Sequence, residues 1–142
     1  MTIDIRIRAI GIDPGSVRIG VALIDDIGFM AHPLRTLKTG KESPAEIAAL
    51  ALEKQSQVIV IGLPRNMNGT CGPAATKSRE LAALITPLTT ARVILWDERL
   101  TTAMASKHLQ EAGRNSREQR KVIDQAAAVQ ILQDWLDANP VA

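Results

Sequence analysis

The first 35 residues alternate between β-branched apolar runs and short turns. Residues 5–13 and 17–24 are rich in isoleucine and valine, and the Asp13-Pro14-Gly15-Ser16 segment that separates them has the composition of a tight turn. A second turn at residues 25–28 precedes another strand-like stretch over residues 29–35. The pattern predicts that the chain opens as an antiparallel meander of three strands.

Helical and strand patterns alternate after the meander. Ser43 and Glu46 have the spacing of a capping box, with Pro44 at the first helical position. Two later apolar runs are short and continuous, as in strands buried on both faces, and the first is expected to be central and parallel to the opening strand. The predicted strands cover residues 58–62 and 92–96, and the predicted helices cover residues 43–55, 73–85, 101–112 and 116–139. The last two helices are separated by a break at Gly113, and Ser116 and Gln119 form a second capping box.

This order of elements predicts an α/β fold: a mixed five-stranded sheet built as βββαβαβα, with helices on both faces. A chain of 142 residues fits one domain over residues 1–142. Ligands of such sheets gather at the carboxyl ends of the parallel strands.

Composition excludes several classes of protein. Hydrophobic residues make up 46% of the chain and charged residues 23%, which does not fit a disordered or fibrous protein. Cys71 is the only cysteine, so no internal disulfide forms and a reducing compartment is expected. No apolar run approaches the roughly 18 residues of a membrane helix, and residues 1–13 interleave charges where a signal peptide would be apolar. We therefore expect a cytoplasmic protein without a membrane partner.

Positive charge is concentrated in one segment. The net charge is only +2, but residues 99–121 carry six basic and two acidic residues. Such a segment favours binding to a polyanion, because basic side chains that neutralise phosphates release the counterions of the phosphates. The structural alternative is a helix face that is exposed to solvent and binds nothing. Phe29, Trp96 and Trp135 are the only aromatic residues, which disfavours a base-stacking platform.

Acidic residues follow two of the predicted strands. Asp13 ends the first strand, and Asp97 and Glu98 follow the fifth. A structural role is open for each: Asp13 can initiate the turn, and the acidic pair can mark the entry to a helix.

Asp124 stands out by its helical neighbours. Counting four, seven and eleven residues onward gives Ala128, Ile131 and Trp135, so the carboxylate lies on the apolar stripe that faces the sheet. A buried carboxylate needs a base, a proton or a metal as its partner. An arginine such as Arg18 is the structural alternative to a metal.

The predicted topology brings Asp13, Glu98 and Asp124 to one edge of the sheet. Ionised carboxylates repel each other there unless a cation lies between them, and Mg²⁺ or Mn²⁺ prefers such oxygen ligands. Beside a basic segment, this site indicates metal-assisted cleavage of a phosphodiester. The candidate phosphate contacts, for each of which a salt bridge is the alternative, are Arg18, Arg65, Arg99, Arg120 and Lys121.

Four sequence blocks span nearly the whole chain: Gly11-Ile-Asp13-Pro-Gly15-Ser-Val-Arg18-Ile-Gly20, Gly62-Leu-Pro-Arg-Asn66-Met-Asn-Gly69, Asp97-Glu-Arg99-Leu-Thr-Thr102 and Lys121-Val-Ile-Asp124. In this order they resemble the YqgF/RuvX family of pre-16S rRNA nucleases. The resemblance implies an RNase H-like fold related to RuvC-type Holliday junction resolvases. It also implies a cytoplasmic role in trimming the 5′ end of pre-16S rRNA, with Mg²⁺ or Mn²⁺ held by catalytic residues at Asp13, Glu98 and Asp124.

Two departures from the family pattern affect the substrate. Asp13-Pro14-Gly15 stands where the family more often has an aromatic after the aspartate, and it looks more like the resolvase version. Glu98 after the fifth strand is the YqgF arrangement, because the resolvases place a glutamate at the end of the fourth strand. Asp97 is a candidate fourth carboxylate, although a side chain directly next to Glu98 in the sequence is expected to point away from the site.

Other functions stay open at this point. One is a Holliday junction resolvase or another DNA nuclease of recombination and repair, and a resolvase should act as a dimer to make paired cuts. Another is a non-catalytic nucleic-acid-binding factor of ribosome assembly or transcription. A third is an actin-like ATPase, because the phosphate loop of that fold looks similar to residues 11–16 of this chain. The actin-like fold needs two such domains around its nucleotide, and this chain is long enough for one. The expected partners are an RNA precursor, single-stranded or branched DNA, or a precursor of the small ribosomal subunit, bound by a monomer or weak homodimer.

Overall fold

The computed structural model describes residues 7–24, 30–64, 72–98 and 117–138, and within the last range it describes the side chains of residues 125–138 only. The elements are β1 (Ala9–Asp13), β2 (Arg18–Ile24), β3 (Ala31–Lys38), α1 (Ser43–Glu53), β4 (Val58–Leu63), α2 (Pro73–Ile85), a short 3-10 turn (Thr86–Leu88), β5 (Arg92–Asp97) and α3 (Arg117–Ala138). None of these helices is long and apolar enough to cross a membrane.

The strands form one mixed sheet in the order β3-β2-β1-β4-β5. β1 pairs antiparallel with β2, and β2 with β3, which confirms the opening meander. β4 pairs parallel with β1 on one side and with β5 on the other. Every residue of β1 and β4 is buried, as expected of strands covered on both faces.

Helices cover both faces of the sheet and create two apolar cores. α1 and α2 pack on one face, where Ile10, Ile12 and Ile61 join the buried residues of both helices. α3 packs on the other face, where Val60 lies with Ile131 and other residues of that helix. Because side chains alternate along a strand, Ile61 and Val60 belong to different cores. The predicted five-stranded fold with helices on both faces is confirmed.

The two edge strands differ from the predictions, β3 in its boundaries and β5 in its burial. β3 covers Ala31–Lys38 instead of residues 29–35, with Pro33 next to an irregularity in its pairing with β2. An edge strand tolerates proline because one side of its backbone needs no partner strand. β5 was predicted to be buried, but it is the other edge and none of its residues is fully buried. The predicted helix over 101–112, Gly113 and the capping box at Ser116 lie outside the described residues.

The predicted capping box of α1 is wrong. Glu42 occupies the N-cap position and makes no side-chain cap hydrogen bond, and the helix ends at Glu53. The Ser43 hydroxyl instead accepts a hydrogen bond from the Gly40 N–H (2.8 Å) and donates one to the Lys38 carbonyl oxygen (3.2 Å). Ser43 therefore closes the turn between β3 and α1, because its hydroxyl satisfies the backbone before the helix.

Replacing Ser43 by alanine is expected to destabilise the fold by about 1–3 kcal/mol, because two part-buried hydrogen bonds to the backbone are lost, each with a net contribution of about 0.5–1.5 kcal/mol. Ser43 is 2% exposed. Ser78 is an equally buried control, but its hydroxyl only bonds the Ala74 carbonyl oxygen one turn back in α2. Ser78→Ala should cost much less, because such a bond adds little to a helix. Urea unfolding of both variants measures the difference, and equal losses would contradict the role given to Ser43.

Candidate active site

Two buried carboxylates lie at the carboxyl edge of the parallel strands. Asp13 is the last residue of β1, and Glu98 directly follows β5. Their exposed fractions are 4% and 7%, and both take part in interactions within the chain. Buried carboxylates are costly and seldom kept without a partner, so this pair marks a candidate site.

Gly62 of β4 lies between these two residues. Ile12 is the register partner of Ile61, so Asp13 comes level with Gly62 on the neighbouring strand. On the other side, a Cβ atom at Gly62 would lie 3.2 Å from Oε1 of Glu98 and 2.6 Å from Cδ1 of Ile131 in α3. The Glu98 carboxylate therefore occupies the space that any larger residue at position 62 would fill.

Asp13 and Glu98 point to the same face of the sheet. A Cβ atom at Gly11 would lie 2.6 Å from Cβ of Leu132, so Gly11 faces α3, and Asp13 faces α3 as well because it is two residues further along β1. The Glu98 carboxylate lies on that face because it is next to the α3 side of Gly62. Two acidic side chains that are distant in sequence are thus brought to one surface.

α3 runs in the direction opposite to β1. The Gln133 side-chain oxygen accepts a hydrogen bond from the N–H of Ala31, at the start of β3, whereas Gln125 Nε2 donates to Thr36 Oγ1 near the end of β3. β3 is parallel to β1, because β2 is antiparallel to both. The first turns of α3 therefore lie at the edge of the sheet that carries Asp13.

The predicted apolar stripe of α3 is confirmed. Ala128 and Ile131 are fully buried and Trp135 is 5% exposed. The backbone of Asp124 lies one helical turn before Ala128. The Ala128 carbonyl oxygen lies close to Gly11, since a Cβ atom added there would be 3.0 Å from it. One helical turn and two strand residues cover similar lengths, about 6 Å each, so the Asp124 backbone comes level with Asp13. The Asp124 side chain is outside the described part of the chain.

Asp97 lies on the opposite face from this site. Gly62 is the register partner of Trp96, and Leu63 is the partner of Asp97. Since Gly62 faces α3, the alternation along a strand turns Leu63 and Asp97 towards the face covered by α1 and α2. The site residues that the structure brings together are therefore Asp13 and Glu98, with the backbone of Asp124.

The predicted phosphate contacts are only partly described. Arg18 begins β2, two residues before Gly20, the register partner of Asp13, so it lies diagonally from Asp13 on the same face. Arg18 is half-buried and interacts within the chain. Arg65 and Arg99 lie outside the described residues, and for Arg120 and Lys121, in the first turns of α3, only the backbone is described.

Sequence reasoning assigned no role to two residues of the site, Gly62 and Trp96. A glycine at the end of a buried β-branched run was an available signal, because such a glycine often marks a close approach by another group. Trp96 was noted only as an aromatic residue. Its indole Nε1 is buried without a hydrogen-bond partner in the part of the chain that the structure describes. It is the register partner of Gly62 and therefore lies at the same level of the sheet.

The donor set fits a hard divalent cation. Carboxylate oxygens suit Mg²⁺ or Mn²⁺, and Gly62 leaves room above the sheet for the Glu98 carboxylate. Among the described side chains no group of three or more His, Cys, Asp or Glu residues is placed to hold a metal ion. Asp13 and Glu98 are the buried carboxylates of that part of the chain. A third position, Asp124, is placed by its backbone alone.

Solved structures share this fold. RuvC from T. thermophilus in complex with a Holliday junction substrate aligns with a TM-score of 0.57 and 16% identity, covering 96% of this chain and 98% of that one. The fowlpox virus Holliday junction resolvase aligns with a TM-score of 0.54 and 12% identity, covering 94% and 99%. The fold is thus that of RuvC resolvases, the RNase H-like fold expected from the sequence blocks.

Sequence relatives point to the same class. A protein from Nocardioides sp. is 45% identical over 139 residues, which cover 92% of this chain and 87% of the relative. One from Shouchella clausii is 40% identical over 134 residues, covering 92% and 94%. Both bear the name "Putative pre-16S rRNA nuclease". These named relatives make the chain a nuclease, a hydrolase of phosphodiester bonds.

The family follows from a match over most of the chain. The family model described as "RuvX: Holliday junction resolvase" matches residues 7–138. The chain therefore belongs to the RuvX family, which confirms the resemblance of its four sequence blocks.

Proposed function

We propose that this nuclease depends on a divalent metal ion and processes the 5′ end of pre-16S rRNA in the cytoplasm. The observation that carries the proposal is the pair of buried carboxylates, Asp13 and Glu98, on one face of the sheet beside Gly62. The substrate is that named for relatives at 40–45% identity, which match more than nine tenths of this chain. The cytoplasm is proposed because that RNA is processed there.

In this proposal the chain's own residues hold and orient the reacting groups. Asp13 at the end of β1 and Glu98 just after β5 would supply oxygen ligands for Mg²⁺ or Mn²⁺, and Asp124 would supply a third from α3. When bound, such ions polarise a phosphodiester, activate a water and stabilise the leaving oxygen. Arg18, Arg65, Arg99, Arg120 and Lys121 bind phosphates next to the scissile bond.

The first experiment measures metal-dependent cleavage. A labelled single-stranded RNA with the precursor 5′ extension is incubated with Mg²⁺, with Mn²⁺ or with EDTA. We expect cleavage with either ion and its complete loss in EDTA, because the carboxylates alone cannot stabilise the charge of the transition state. Cleavage that persists in EDTA would refute the metal-dependent mechanism. If the RNA is bound and never cut, the same assay on precursor ribosomal particles distinguishes a non-catalytic assembly factor from a nuclease that needs the particle.

A Holliday junction resolvase is the second candidate, because the matching family model has that description and the Asp13-Pro14-Gly15 turn looks like the resolvase version. A labelled four-way junction and single-stranded DNA therefore accompany the RNA. Paired, symmetric cuts in the junction by a dimeric protein would favour the resolvase. Cleavage of the RNA by a monomer would favour rRNA processing.

A further inference from the structure

Two cations face each other at the edge of the sheet beside the carboxylates. Arg18 of β2 and Lys38 of β3 are register partners, so their Cβ atoms are about 5 Å apart on the same face. Their chain neighbours Ile19 and Leu37, also register partners, are buried under α1 and α2. Alternation therefore places Arg18 and Lys38 on the α3 face, which also carries Asp13.

The backbone around this pair is firmly held. The Thr39 N–H donates to the Val17 carbonyl oxygen (3.0 Å), and Thr39 Oγ1 donates to the Gly15 carbonyl oxygen (2.8 Å). Ser43 Oγ donates to the carbonyl oxygen of Lys38 itself (3.2 Å). Two cations side by side on one face of a sheet attract an anionic ligand, and Lys38 is exposed and can contact one.

The charged residues form a row across the sheet. Asp13 is opposite Gly20, Arg18 is two residues before Gly20, and Lys38 is opposite Arg18. Two strand spacings and two residues of rise put the Lys38 backbone about 12 Å from that of Asp13. A phosphate bound at Lys38 would therefore lie within a few nucleotides of one bound beside Asp13, further along the same strand of nucleic acid.

We propose that Arg18 and Lys38 form a phosphate-binding row that guides single-stranded RNA from the carboxylates across β2 to the β3 edge of the sheet. The inference rests on the proposed nuclease function for the identity of the polymer, since the row itself recognises only phosphates. It assigns a binding role to Lys38 and a direction to the substrate, towards β3 and away from β5.

The test replaces Lys38 and, as a matched control, Arg35. Arg35 is exposed on the same strand and loses the same charge on replacement, but its register partner Val21 is buried under α1 and α2, so Arg35 faces the other way.

Binding of a short fluorescein-labelled single-stranded RNA is followed by fluorescence anisotropy in EDTA over a range of KCl concentrations. Lys38→Gln should weaken binding several-fold and lower the slope of log K against log salt by about 0.7, the value for one phosphate contact on a single strand. Arg35→Gln should leave both quantities unchanged.

Thermal melting separates binding from stability. Lys38→Gln should melt at the wild-type temperature, because the Lys38 side chain is exposed and surface substitutions change stability little. Unchanged RNA binding, equal losses for Lys38→Gln and Arg35→Gln, or a lower melting temperature together with lost binding would each overturn the proposal. Cleavage is measured separately with Mn²⁺, so a wild-type protein that binds RNA but cuts neither this RNA nor the precursor ribosomal particles refutes the proposed function and still leaves the row tested.

Discussion

Asp13→Asn is expected to lower the rate of metal-dependent cleavage by a factor of about 100–1,000 or more, the usual cost of losing one preorganised electrostatic group of an active site. The carboxylate is nearly fully buried at the end of β1 and shares one face of the sheet with Glu98. Asparagine keeps the shape of the side chain and one oxygen but loses the negative charge, so metal binding should weaken while the fold is retained. Cleavage rates at a series of Mn²⁺ concentrations measure the effect.

Asp97→Asn is the matched control for this charge removal. Asp97 is adjacent to Glu98 in sequence but faces the other side of the sheet, as its register partner Leu63 shows. We expect Asp97→Asn to cleave within about twofold of the wild type, because the Asp97 side chain lies on the far face of the sheet and takes no part in holding an ion between Asp13 and Glu98. If Asp13→Asn cleaved at the wild-type rate, or if both variants lost activity equally, the carboxylate site would be in the wrong place.

Gly62→Ala is expected to raise the Mn²⁺ concentration needed for half-maximal cleavage about tenfold or more, as for groups that orient a metal ligand. A methyl group at position 62 would lie 3.2 Å from Oε1 of Glu98, so the carboxylate must shift by a few tenths of an ångström. The closer contact, 2.6 Å to Cδ1 of Ile131, is with the end of a flexible side chain that can rotate. The loss of stability should therefore be moderate, about 1–3 kcal/mol.

Gly11→Ala separates the loss of packing from the loss of metal binding. A methyl group at Gly11 would lie 2.6 Å from Cβ of Leu132 and 3.0 Å from the carbonyl oxygen of Ala128, neither of which can rotate away. This variant should lose more stability than Gly62→Ala. Assayed well below its melting temperature, it should raise the Mn²⁺ requirement less than Gly62→Ala does, because the methyl group presses on α3, which carries Asp124, and its nearest atoms do not include the Glu98 carboxylate. An equal rise in the Mn²⁺ requirement of both variants would show that the Gly62 effect is only a packing effect.

Local sequence patterns predicted the bounds of helices and strands best where the apolar residues of the pattern are the residues that are buried in the structure. α2 was predicted over residues 73–85 and lies at Pro73–Ile85, because Pro73 at the first position and the apolar spacing both act within the helix. β4 was predicted as a central parallel strand because an uninterrupted apolar run is stable only when both faces are covered. The same pattern wrongly predicted that β5 is buried, because β5 lies at the edge of the sheet. An apolar run does not show whether a strand has a neighbouring strand on both sides or on one side only.

Ser43 shows the other kind of limit. Its spacing to Glu46 is that of a capping box, yet its hydroxyl bonds Gly40 and Lys38 instead. Several local hydrogen bonds are open to a serine next to a turn. The path of β3 into α1 selects among them, and that path depends on contacts that the local sequence does not contain.

The sequence by itself determined which residue types stand at the strand ends. It marked Asp13, Glu98 and Asp124 as candidate ligands, and their roles remain predictions. Strand ends, apolar periods and turn residues are properties of short segments, so they can be predicted without the rest of the chain. For the same reason the sequence also determined the order of the elements and, through it, the class of fold.

Only the tertiary structure decided which of these groups share a surface. The register of β1, β4 and β5 places Asp13 and Glu98 on either side of Gly62 and turns Asp97 to the other face. A shift of one residue in that register would exchange the two faces, and no local pattern determines it. The pairing of β2 with β3 likewise brings Lys38 opposite Arg18. These contacts join residues that are distant in sequence, so their geometry depends on how the whole sheet packs against its helices.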